Sequence, residues 1–146
     1  MQATRILPDL QCSLLCEDIK QEINGNLILI GVINLIRVPY LPIVAGRLLV
    51  FNRWTAGVGQ FTGSVRLVAP DQTTVVCRGE AKFELRAPAD SATPVMAFTQ
   101  VEFKKDGVYF VEVLVDEVMK IRFPVPLVVT PPPNQNPPTT SEPRKP

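Results

Sequence analysis

The sequence contains no histidine, which removes the usual general base at neutral pH and the commonest metal ligand. Ser-His-Asp and Cys-His catalysis are excluded, and a metal site would have to be built from thiolates and carboxylates alone. Cysteine is scarce: three residues, an odd number, suit a reducing cytoplasm better than a disulfide framework. An excess of one charge is also lacking. Fifteen lysines and arginines against fourteen acids leave a formal charge of +1, so no global field draws the chain to nucleic acid or to an anionic membrane. The longest apolar run, Leu27 to Ile36, is interrupted by Gly31 and Asn34 and falls far short of the ~20 residues a helix needs to cross a bilayer. The opening MQATRILPDLQ mixes polar residues with Pro8 and has no basic-then-apolar leader pattern, so secretion is not expected.

What remains is a chain of 146 residues with 46% hydrophobic and 20% charged composition. That length fits one domain, which would bury about 68–70% of the surface its unfolded chain exposes. The composition argues against general disorder.

Period-two alternation dominates. Lys104 to Val129 holds the clearest hairpin: Tyr109, Val111, Val113 and Val115 share one face, Phe110, Glu112 and Leu114 the other. A second strand, Met119 to Phe123, follows with Ile121 and Phe123 inward. Asp116-Glu117 between them lacks the glycine a two-residue turn favours, which leaves turn type and register open. Pro124 and Pro126 suit a sheet edge, since neither donates an N–H.

Upstream, Gln11 to Asp18 reads as a first strand with Cys12, Leu14 and Cys16 opposite Ser13, Leu15 and Glu17. Cysteines four apart on a strand sit ~13 Å apart, too far for a disulfide, so they read as structural thiols. Asp18 to Ile23 is expected as a short helical or irregular turn before Asn24-Gly25. In LILIGVINLIRV both faces are apolar: Leu27, Leu29 and Ile33 on one, Ile28, Ile30 and Val32 on the other. Such a strand needs cover on both sides, from a loop or from another subunit.

Val38 to Pro42 is expected to cross between sheets. Arg47 to Trp54 follows as a strand with Leu48, Val50, Asn52 and Trp54 on one face. Trp54 reads as core or as a binding aromatic, and Tyr40 is the other aromatic suited to an interface. Ala56 to Gly59 reads as a hairpin loop. Phe61 to Val68 and Thr73 to Arg86 alternate, the latter with Ala81, Phe83 and Leu85 inward and a bulge at Gly79. Val95 to Lys104 is a further strand, with Val95, Thr99, Val101 and Phe103 opposite Met96, Phe98, Gln100 and Glu102. Residues 130–146, with seven prolines, read as a flexible proline-rich tail that solubilises the chain or reaches a groove on another protein.

The pieces predict an all-β, antiparallel immunoglobulin-like β-sandwich of seven to eight strands over 1–129. Asp106, Gly107 and Tyr109 resemble the approach to strand F of immunoglobulin-like domains, where a tyrosine hydroxyl bonds nearby backbone. Val111 stands where antibody domains place a cysteine, which points to a sandwich held by packing alone. CEDIKQEINGNLILIGVINLIRVPYLP, VRLVAPDQ and GVYFVEVLVDEVMKIRFPVPLVV together resemble a bacterial family of small sandwich domains of unknown function, over about Leu10 to Val129. The resemblance implies the fold and brings no functional residue with it.

Three functions are compatible with these features. The leading expectation is a non-enzymatic interaction or structural module that binds a protein partner, a second copy being one candidate, through Leu27, Ile28, Leu29, Ile30, Val32, Tyr40 and Trp54. No cofactor is expected. The alternative is a calcium- or ligand-binding sandwich drawing on Asp71, Asp90, Asp106 and Asp116. The third is an enzyme using Glu112 with Glu102 on a neighbouring strand.

Overall fold

The computed structural model describes residues 5–131, so most of the expected proline-rich tail, 132–146, lies outside the described residues. No helix occurs among them. The strands are β1 (Asp9–Gln21), β2 (Leu27–Val32), β3 (Ile36–Val38), β4 (Ile43–Thr55), β5 (Gly59–Val68), β6 (Val75–Leu85), β7 (Ser91–Ala92), β8 (Val95–Phe103), β9 (Gly107–Val115) and β10 (Val118–Val129). They form two five-stranded sheets. The first runs β2-β1-β4-β7 with β8 also on β4, and the second runs β3-β10-β9-β5-β6. The expected immunoglobulin-like sandwich is present, with ten strands in place of seven or eight. The additions are the three-residue β3 and the two-residue β7.

The inner faces meet in one core. Leu15, Leu48, Val50 and Trp54 of the first sheet pack with Phe61, Val65, Leu67, Leu85, Tyr109, Val111, Val113 and Val115 of the second. Each such side chain contributes ~1.5–3 kcal/mol when fully buried. Aromatic contacts tie the sheets together: Trp54 stacks on Phe83 at 5.6 Å between centroids, and Phe103 meets Tyr109 edge-on at 5.2 Å.

Several expectations are corrected. Asp18 to Ile23 forms no helical turn; β1 continues to Gln21 because β2 pairs with it through Gln21 opposite Leu27. Leu27 to Ile36 is not one strand. It splits into β2 in the first sheet and the start of β3 in the second, so its later residues gain cover by changing sheets. Ala56 to Gly59 is no hairpin loop but an arch, since β4 and β5 lie in different sheets. Gly79 is no bulge: it pairs in register with Val65, and the β5–β6 irregularity falls at Leu67 and Val68. A Cβ at Gly79 would meet the Phe98 ring at 3.1 Å, so glycine there admits the opposite sheet.

In β8 the expected face assignment fails halfway. Met96 and Phe98 point inward, yet so do Val101 and Phe103. Gln100 between them has φ +56°, outside the strand region, and it reverses the alternation. Ile121 shares its face with Phe123 but is exposed at the rim.

The turn from β8 into β9 is fixed by Tyr109. Its hydroxyl donates to the Lys105 carbonyl at 2.7 Å, while Gly107 adopts φ +130° with Pro70 against it. Gly107 and Tyr109 thus shape this turn, with Asp106 between Lys105 and Gly107 in the connection. Asp116 and Glu117 take φ +47° and +69°, so the turn keeps a two-residue hairpin with both central residues left-handed. Asp116 is compensated: its carboxylate accepts from Thr62 N–H and pairs with Arg5. Glu117 is exposed, and its carboxylate meets only the Arg78 guanidinium, at 3.6 Å, an exposed pair that contributes little.

Two outcomes follow in urea denaturation. Tyr109→Phe loses one buried hydrogen bond, about 1 kcal/mol, while Tyr109→Ala loses about 3–5 kcal/mol; equal losses would contradict the corner. Glu117→Gly stabilises the domain by about 0.5–1 kcal/mol, because relief of the left-handed conformation exceeds the added chain entropy.

Candidate functional site

The two outward faces of the sandwich differ in chemistry. On the second sheet Arg66, Glu112 and Arg122 stand opposite one another on β5, β9 and β10. Arg66 Nε lies 2.6 Å from Glu112 Oε1, and Arg122 Nε lies 3.2 Å from Oε2. Arg122 also covers the Phe110 ring at 3.9 Å. Further along, Arg78 pairs with Glu80 at 2.7 Å. This is a charged face whose partners are already within it.

That geometry corrects the expected pairing of Glu112 with Glu102. Glu112 is held by two guanidiniums rather than set in an apolar pocket. Glu102 is not on a neighbouring strand: it lies on β8, in the other sheet, opposite Val44. The two carboxylates do not flank a common site.

The outward face of the first sheet is apolar. Strand register places Val32, Cys16, Leu49 and Ala97 in one row across β2, β1, β4 and β8, and Leu14, Phe51 and Val95 in the next. Cys16, Leu49 and Phe51 are buried at its centre, while Leu14, Ile28, Ile30, Val32 and Val95 are exposed around them. Val32 is 54% exposed. β2 is the end strand, so its outer backbone edge carries no partner strand in the sheet. Arg53 borders the band beside Cys12. Its guanidinium lies 5.9 Å from the Phe51 ring centroid, and its Nε is buried without a hydrogen-bond partner. Farther along, Asp18 pairs with Lys20 and Arg47, and the bond from Lys20, followed by the Ile19 N–H, lowers its carboxyl below the ordinary value.

The expected interface residues therefore separate. Ile28, Ile30 and Val32 join the band. Leu27 and Leu29 turn to the other face of β2 and are half-buried. Tyr40 is 62% exposed on the connection between β3 and β4. Trp54 is corrected: it is 0% exposed, stacked on Phe83 in the core, and presents nothing to a partner. Sequence reading missed Leu14, Leu49, Phe51, Arg53 and Val95. The available signal was Leu48-Leu49-Val50-Phe51, as apolar on both faces as the run in β2.

The aspartates of the calcium alternative do not converge. Asp71 and Asp106 lie in loops at one end of the second sheet, and Asp116 closes the hairpin at the other. Asp71 is occupied by Thr73 N–H, Thr74 N–H and the Thr74 hydroxyl, and Asp90 by Arg86 and Ala87 N–H. No group of three or more metal-ligating side chains occurs among the described residues. All three cysteines are free. Burial pushes the Cys77 thiol up to about 11, which makes it a poor nucleophile. An open groove of about 810 Å³ near Asp71 joins Val75 and Val76 to Glu102, Lys104 and Lys105. Its charges balance, and so select no ligand charge.

Asp71 yields an acid-stability prediction. Its bonds, that from the Thr74 hydroxyl foremost, lower its carboxyl from 3.8 to about 2. A lowered folded-state value stabilises above the ordinary carboxyl range and is lost as pH falls through the folded value. Carbon-13 titration should give Asp71 a midpoint of about 2. Asp71→Asn should remove its share of the stability lost between about pH 4 and 2; an ordinary midpoint would contradict the bonded turn.

Comparison with known proteins adds the following. A solved structure of similar shape is the CARDB domain of the PF1109 protein from Pyrococcus furiosus, in complex with di-metal ions. The match has a TM-score of 0.41 and 17% identity, covering 88% of this chain and 95% of that one. No curated protein matches the sequence. A family model described as a family of unknown function matches residues 11–128, most of the sandwich. The chain belongs to that family, DUF6941.

Proposed function

We propose that the domain is a non-enzymatic protein-interaction module whose docking surface is the outward face of the first sheet, from Ile30 and Val32 on β2 across Leu14 and Phe51 to Val95. The observation that carries this reading is the contrast between the two outward faces. One pairs its charges internally, through Arg66, Glu112 and Arg122. The other presents an apolar band ending at an exposed strand edge.

Contiguous exposed apolar surface marks interaction sites, because covering it releases ~25 cal/mol per Å². Arg53 strengthens the reading, since arginine is enriched among the residues that carry interface energy. The free edge of β2 offers backbone groups to an added strand. Gly31, at φ +65° within β2, limits how far a long strand could pair there, so the side-chain face carries the binding. A protein partner in a bacterial cytoplasm fits the three free thiols, and a second copy of the chain is one candidate.

The test compares the full chain with the Ile30→Asp/Val32→Asp variant. Both sites are exposed, so thermal midpoints should agree. The wild type should associate in sedimentation velocity at micromolar concentration, or retain a specific protein from native lysate, and the variant should lose that interaction by at least tenfold, about 1.4 kcal/mol. A monomeric wild type that retains the same lysate proteins as the variant would overturn the reading.

A further inference from the structure

The inner face of the first sheet has one polar patch in an otherwise apolar core. Ser13 and Asn52 stand directly opposite each other on β1 and β4. Their neighbours in the same alternation, Leu15, Val50 and Trp54, belong to the core, so both point inward. Asn52 is 1% exposed. Neither its Oδ1 nor its Nδ2 has a hydrogen-bond partner in the protein, and the same holds for Ser13 Oγ and Trp54 Nε1.

Four orphaned atoms on adjacent residues are hard to reconcile with a folded core, because each surrenders its bonds to solvent and gains none. Their inventory is complementary to a small ligand. The asparagine amide offers two donors and an acceptor, the serine hydroxyl one of each, and the indole a donor. The ladder beside them is also interrupted. β7 and β8 keep one register on β4, with Trp54 opposite Ala92 and Val50 opposite Met96, yet pairing lapses at Thr93-Pro94, alongside Asn52. Pro94 has no N–H to give.

We propose that Ser13, Asn52 and Trp54 form an internal water site of the sandwich. The water accepts from the Asn52 amide or the Trp54 indole and donates to Asn52 Oδ1 or Ser13 Oγ, within the usual two to four bonds of about 3 that a buried water makes. The inference is independent of the docking face, which lies on the opposite side of the same sheet.

The experiment is water-selective NMR on the full chain. Trp54 is the only tryptophan, so its indole proton gives a single unambiguous line. The indole and Asn52 side-chain amide protons should show cross peaks to water of opposite sign in NOE and ROE spectra, the mark of a long-lived water. Oxygen-17 relaxation dispersion should show a smaller long-lived amplitude for Asn52→Leu than for wild type. Absence of the wild-type cross peaks overturns the proposal, as does an unchanged dispersion amplitude in a folded Asn52→Leu. Should that variant fail to fold, the wild-type spectra decide alone.

Discussion

The passage of the chain from β8 to β9 is held by one hydroxyl. Tyr109 places its ring in the core against Phe103 of the opposite sheet and ties its oxygen to the Lys105 carbonyl. That bond sets where β9 begins, and β9 is the strand on which the second sheet is assembled, paired on one side with β5 and on the other with β10. Register then propagates outward. Glu112 meets Arg66 and Arg122 only because β9 is aligned with both neighbours, and Leu127 at the end of β10 meets Ile36 of β3. An error of one residue at the corner would turn Val111, Val113 and Val115 towards solvent.

The two sheets share this core but spend their outer surfaces differently. The second sheet neutralises itself: Glu112 is buried between the cross-strand guanidiniums of Arg66 and Arg122, while the exposed Arg78–Glu80 pair contributes little to stability. The first keeps apolar residues outward on β1, β2 and β4, and leaves Arg53 without a partner for its buried Nε. A sandwich needs only its inner faces to fold. An outward apolar row adds little to packing, and its cost in solubility is compensated when something covers it. The same sheet also holds the polar Ser13–Asn52 pair on its inner side, so both departures from simple alternation fall on β1 and β4.

Much of the fold was legible because alternation survives wherever strands are regular. Leu48, Val50 and Trp54, or Ala81, Phe83 and Leu85, fall where period two puts them. The failures have specific causes. Gln100 adopts a left-handed conformation that no residue pattern announces, and it inverts the second half of β8. The split of Leu27 to Ile36 follows from β3 pairing in parallel with β10, a strand some ninety residues away whose attraction leaves no local mark. The apolar band was half legible: Ile28, Ile30 and Val32 showed in β2, while Leu49 and Phe51 were hidden in a strand whose other face had already explained its hydrophobicity.

By itself the sequence determined the class of the molecule. Absence of histidine removed imidazole as a general base and as a metal ligand, and alternating β-branched residues with short turns required strands that bury one face. It also carried the corner at Tyr109, because Tyr109, Gly107 and the Lys105 carbonyl lie within a few residues of one another. Tertiary structure decided which faces meet and which are left open. Whether Trp54 is an anchor or core, whether Glu112 is an acid or an ion-pair partner, and whether the four aspartates share a site depend on contacts between residues distant in sequence. Those contacts are set by sheet order and register, which local pattern constrains only weakly.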